Sequence, residues 1–70
     1  MTESIKNLVH KLRTEKGLTQ EELAEKVGIT RQTVISIEKG NYTPSVLLAI
    51  KLSKVFDVKV EDIFKISYDK

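Results

Sequence analysis

The chain has no cysteine, so neither a disulfide framework nor a thiolate metal site is open to it. Its three glycines stand apart at Gly17, Gly28 and Gly40, which excludes a glycine-rich phosphate loop. The single histidine, His10, has no histidine partner at H-x-x-x-H spacing, so zinc-ligand spacing is absent as well. No apolar run approaches the roughly 18 residues that cross a bilayer, and the N-terminus does not read as a signal peptide. These absences predict a cytoplasmic protein with no metal, cofactor or small-molecule ligand, and no enzymatic activity.

What remains is a 70-residue chain with 40% hydrophobic and 31% charged residues, an ordinary composition for one small domain over 1–70. A core of this size lies near the lower limit for independent folding, and nothing but helix packing, helped by a partner chain, is left to hold it. The net charge is only +2, yet it is unevenly placed. Residues 1–27 balance to zero and residues 55–70 sum to −1, while residues 28–54 carry Arg31, Lys39, Lys51 and Lys54 against Glu38 alone. A local basic zone of this kind is what a phosphate-facing surface requires, although a solvated helix face has the same look.

Hydrophobic spacing predicts five helices. Ile5, Leu8, Val9 and Leu12 recur at i, i+3, i+4 and i+7, marking a first helix over about Glu3 to Lys16, with Gly17 at its end. Thr19 and Glu22 form a capping-box pair that opens a second helix to about Val27, burying Leu23, Ala24 and Val27. Gly28 breaks it, and Ile29 plugs the turn. Thr30 then caps a third helix to about Lys39, with Val34 and Ile37 inward and Gly40 as the stop. Pro44 suits the first position of a fourth helix to about Phe56, whose inward stripe reads Val46, Ala49, Leu52 and Phe56. A short fifth helix over about Val60 to Phe64 precedes a tail at 65–70, where Ile66 and Tyr68 alternate like a strand.

The third helix is unusually polar. Arg31, Gln32 and Ser36 fall on its outer side, with Gln20 at the start of the helix before it, where hydrogen-bonding groups serve only something outside the protein. Two short helices around a tight turn, over about 19–39, therefore point to a helix-turn-helix facing DNA.

The run LTQEELAEKVGITRQTVISIEKGNYTPSVLLAIKLSKVFDVKVEDIF, Leu18 to Phe64, resembles the Cro/lambda-repressor type of helix-turn-helix regulator, the Xre-like family. The preceding LVHKLRTEKG continues the resemblance through helix one, so it covers nearly the whole chain. The resemblance implies an all-α, five-helix lambda-repressor-like domain, here with a short C-terminal strand, that binds double-stranded operator DNA as a homodimer. It also implies a transcription regulator, more often a repressor, whose third helix enters the major groove. An antitoxin-like interaction module with secondary DNA binding is the alternative.

On this reading Arg31 pairs with guanine O6 and N7, Gln32 with adenine N6 and N7, Ser36 with a base edge, and Ile35 with a thymine methyl. Arg31 is otherwise a phosphate ligand, and Ile35 is otherwise covered by the following loop. Gln20, Thr30, Thr33, Lys39, Asn41, Tyr42 and Thr43 are assigned to phosphates, with the Tyr42 ring alternatively packed on helix four. Arg13 and Glu38 match the positions of a buried ion pair that orients the motif. The helix-four surplus of Leu47 and Ile50 suggests a second buried surface. The dimer surface is assigned to Val58, Val60, Ile63 and Ile66, with Leu47 and Ile50 as additions; the alternative is that Ile63 and Phe64 only close the monomer core.

Overall fold

A helix starts where a side chain can satisfy the backbone N–H groups that its first turn leaves unpaired. Thr19, Thr30 and Ser45 each do so, their hydroxyl oxygens accepting the N–H three residues ahead. In the computed structural model, which describes residues 2–69 and the side chains of residues 3–68, the chain runs β1 (Thr2–Asn7), α1 (Val9–Glu15), α2 (Gln20–Val27), α3 (Arg31–Glu38), α4 (Val46–Phe56), α5 (Val60–Ile63) and β2 (Phe64–Asp69). The helices enclose one core of Val9, Leu23, Ala24, Val27, Val34, Ile37, Leu48, Leu52, Phe56 and Ile63. Leu12, Leu18, Ile29, Val55, Val58 and Phe64 pack around it.

The fold is not purely α. β1 and β2 form an antiparallel two-stranded ribbon, with Ile5 opposite Ile66, Glu3 opposite Tyr68 and Lys6 opposite Lys65. The expected strand is present at the C-terminus, but residues 3–7, expected to begin helix one, belong to its partner strand. Asn7 fixes the change of structure. Its side-chain oxygen accepts the Val9 N–H at 3.1 Å, and its amide donates to the Ile37 carbonyl at 2.8 Å. The Leu8 N–H meanwhile donates to the Ile63 carbonyl at 2.8 Å. Helix one is thus cut to Val9–Glu15, and Ile5, placed by periodicity on its inner face, is half exposed on the ribbon.

Pro44 lies two positions before the first residue of α4, not at it. Ser45 is the cap, its Oγ accepting the Leu48 N–H at 3.2 Å, so the helix starts at Val46. The inward row is accordingly Leu48, Leu52 and Phe56 at i, i+4 and i+8. Val46 is 76% exposed and Ala49 only half-buried, correcting the predicted stripe. Asp57 ends α4 in the left-handed region at φ 56°, as a non-glycine residue.

The expected dimer surface divides in the same way. Ile63 has no exposed surface and belongs to the monomer core, so it is not free to meet a partner, while Val58 is half-buried against that core. Val60 is half-buried, whereas Ile66 is exposed on β2. Its exposure follows from the ribbon: the strand carries Ile66 away from the helices that bury Ile63.

Candidate nucleic-acid interface

The interface is built on α2 and α3, and each end of both helices has a local cause. At the start of α2 the Thr19 hydroxyl accepts the Glu22 N–H at 3.0 Å while the Thr19 N–H donates to Glu22 Oε1 at 2.8 Å. Those bonds from Thr19, the backbone one foremost, hold the Glu22 carboxyl below its ordinary range. At the end of α2, Gly28 takes φ 74°, a conformation costly for a residue with a Cβ. The reversal lets the Ile29 N–H reach the Ala24 carbonyl at 3.0 Å and turns the chain into the next cap. Thr30 Oγ1 accepts the Thr33 N–H at 3.2 Å and lies 3.0 Å from the Thr33 hydroxyl.

Val34 and Ile37 lock the inner side of α3 into the core. Rotation about the helix then leaves Arg31 and Gln32 exposed and Thr33, Ile35 and Ser36 half-buried. Thr30, Gln32, Thr33 and Ser36 share one open hollow with Asn41 and Tyr42 of the following loop. Lys39 and Thr43 are exposed nearby in sequence, and Arg31 stands at the first turn of the helix. The grouping combines a guanidinium, two amide side chains and several hydroxyls on one side of a helix whose other side cannot move.

Behind this surface three N–H donors and one ring nitrogen converge on Glu38. Arg13 Nε donates to Oε2 at 2.6 Å and Nη2 to Oε1 at 3.3 Å, the Gln20 amide donates to Oε1 at 3.2 Å, and His10 Nδ1 lies 3.3 Å from Oε1. The Glu38 and Arg13 side chains are 7% and 10% exposed. Burial opposes ionisation of Glu38, but the hydrogen bonds from Arg13, Gln20 and His10 and the charge of Arg13 outweigh it, so the carboxyl titrates below its ordinary range. Arg13 also donates through Nη1 to the Leu18 carbonyl at 2.8 Å, fastening the α1–α2 turn.

Two of these residues have partners that the sequence analysis did not assign. The Gln20 amide donates one N–H to Glu38, which leaves its second N–H and its carbonyl oxygen without a partner in that bond. His10, still largely exposed, has Nδ1 3.0 Å from Arg13 Nη2. A polar residue three positions before an arginine on a helix was the signal for that contact. Asn7 was missed altogether, because its partner is a backbone carbonyl 30 residues away.

Among the described residues no group of three or more His, Cys, Asp or Glu is placed to hold a metal ion, and no helix is long and apolar enough to cross a membrane.

A family profile described as Helix-turn-helix matches residues 9–63, which span α1 to α5 and omit only the ribbon. The chain belongs to the Xre-like helix-turn-helix regulators. It is 57% identical over 60 residues to the uncharacterized HTH-type transcriptional regulator YgzD of Bacillus subtilis, covering 86% of this chain and 91% of that one. It is 33% identical over 55 residues to the cryptic phage CTXphi transcriptional repressor RstR of Vibrio cholerae, covering 79% of this chain but half of that protein. Among solved structures, the restriction-modification controller protein C.AhdI of Aeromonas hydrophila superposes with a TM-score of 0.71 at 35% identity, covering 77% of this chain and 82% of that one. This member of the family is thus a transcriptional regulator with a helix-turn-helix DNA-binding fold, and the family is one of DNA-binding regulators rather than enzymes.

Proposed function

We propose that this regulator is a sequence-specific repressor whose two-fold homodimer binds a pseudo-palindromic operator. The N-terminal half of α3 enters the major groove, and the two half-sites are about 34 Å apart, one turn of DNA. Arg31, Gln32 and Ser36 read base edges, and Ile35 packs on a thymine methyl where its half-exposed side chain reaches one. Thr30, Thr33, Lys39, Asn41, Tyr42 and Thr43 bond phosphates, and Gln20 adds its second amide N–H beside the α2 backbone amides. Arg13 and Glu38 touch no DNA and hold α1 and α3 in register.

The observation carrying this reading is the outer side of α3. Donor and acceptor groups there are grouped with the Asn41–Tyr42 loop around one open hollow, while Val34 and Ile37 fix the helix from behind. Thr30 and Thr33 bond one another, whereas the exposed Gln32 amide and the Ser36 hydroxyl are suited to base edges. Similarity to a protein named as a repressor supports the direction of regulation.

Selection of bound duplexes from a random pool tests the proposal. A single enriched palindrome is the expected result, and transcription from a promoter carrying that palindrome should fall when the protein is supplied. Binding that remains equal on every sequence would overturn it in favour of an interaction module.

A further inference from the structure

The ribbon is amphipathic, and its apolar side is uncovered. Register places Glu3, Ile5 and Asn7 on one face with Tyr68, Ile66 and Phe64, while Ser4, Lys6, Lys65 and Ser67 lie on the other. At the root of the first face, Phe64 packs against the helical core and Asn7 bonds to α3. Further out, Ile5 is 50%, Ile66 60% and Tyr68 56% exposed. A two-stranded ribbon is marginal in water unless its apolar face is packed on something. Only the root of this one is.

We infer that the apolar face of the β1–β2 ribbon is the docking surface for the same face of a second copy of this chain. The assignment rests on the two-fold reading proposed above and gives it a location, replacing the surface around α5 in which Ile63 is fully buried. Three observations select a second copy over another occupant. The face has a self-matching layout: Ile5 and Ile66 are directly paired near mid-ribbon, so a two-fold axis through that pair lays apolar on apolar. The same axis sets the tip residue Tyr68 of one copy over the root residue Phe64 of the other, aromatic on aromatic. Finally, Ile5, Ile66 and Tyr68 leave roughly 350 Å² open per copy, about half of what a standard interface takes from each partner. With the surrounding ribbon surface this suffices for a weak dimer, in which two copies associate at about 10–100 µM and are consolidated by a palindromic site.

Sedimentation equilibrium of the full chain decides the matter, with Ile66→Lys and Tyr68→Ser as interface variants and Val46→Lys, on the exposed side of α4, as the control. The wild type and Val46→Lys should show the same monomer–dimer equilibrium. Ile66→Lys should be monomeric throughout, and Tyr68→Ser, at the ribbon tip and away from the core, should weaken association at least about tenfold. Circular dichroism and binding to a single half-site duplex report whether each variant is folded. On the full palindrome, Ile66→Lys should lose about a hundredfold in affinity while its half-site affinity stays unchanged.

A wild type that stays monomeric to about 1 mM overturns the inference. So does a Tyr68→Ser or Ile66→Lys protein that dimerises like the wild type, and so does dissociation by Val46→Lys alone, which would move the interface to α4. If no duplex is enriched at all, the regulator reading fails, and sedimentation still decides the ribbon. If selective binding holds and the ribbon variants dimerise normally, only the ribbon assignment fails.

Discussion

The Arg13 guanidinium meets the Glu38 carboxylate at 2.6 Å, joining the middle of α1 to the last residue of α3. Both side chains are nearly buried, so removing one leaves the other charge without a partner and without water. Arg13→Ala should lower the unfolding free energy by about 3 kcal/mol, measured by urea denaturation. Glu38→Gln keeps the shape and should cost less. If Arg13→Ala leaves stability unchanged, the pair does not hold the motif.

The same carboxylate gives stability a definite pH dependence. Its folded pKa is depressed relative to an unfolded value of about 4.3, so its contribution is fully present above that value. It is lost as pH falls through the folded pKa. Thermal unfolding followed from pH 7 to pH 3 should therefore show a drop in Tm that begins near about pH 5. Glu38→Gln should flatten part of that drop. A profile identical to the wild type would remove Glu38 as its source.

Arg31 and Lys39 stand at opposite ends of α3 and should fail in different ways. Arg31→Ala should relax preference at one base position, with a discrimination loss of about 1–3 kcal/mol. Lys39→Ala should weaken all duplexes alike and reduce the salt slope by about 1. Titrations on matched and mismatched duplexes at several salt concentrations separate the two. Equal behaviour of the variants would reject both roles.

The start of α4 offers a test of local structure. Ser45 Oγ accepts the Leu48 N–H, so Ser45→Ala should cost about 1 kcal/mol. Pro44 precedes the cap, and Pro44→Ala should cost less than that. Chemical denaturation of both variants would reverse this order if the helix began at Pro44.

Asp57 holds φ 56°, which is uncommon for a side chain with a Cβ, and it places an anion at the negative end of the α4 dipole. Asp57→Gly removes both penalties at the expense of a more flexible unfolded chain. A net gain of about 0.5 kcal/mol in unfolding free energy is expected.

The α2–turn–α3 unit was legible in the sequence because its signals are local. Thr19 with Glu22, Gly28 and Thr30 each act within a few residues, so their spacing alone determines where the helices begin and turn. β1 was not legible. Its hydrogen-bonding partner, β2, lies some 60 residues along the chain, and Ile5 happens to stand at helical spacing from Leu8, Val9 and Leu12. The α4 stripe failed for a smaller reason. Pro44 and Ser45 are both acceptable starting residues, but the inward row follows Leu48 and not Val46. Ile63 looked free because a short apolar segment near a chain end carries no mark of what will close over it. On this surface, exposure of Arg31 and Gln32 agrees with their helical phase, whereas the approach of Gln20 and His10 to Glu38 depends on packing that no spacing encodes.

Each strand of the ribbon also has one edge with no neighbouring strand, a template on which further chains could add without limit. Lys6 and Lys65 sit directly across from each other on its polar face. In any sheet extended by stacking copies edge to edge, those ammonium groups would fall into continuous rows of like charge. Growth of a fibre is thereby penalised at every added strand, while a closed pair of copies meeting through the opposite face brings no such row together.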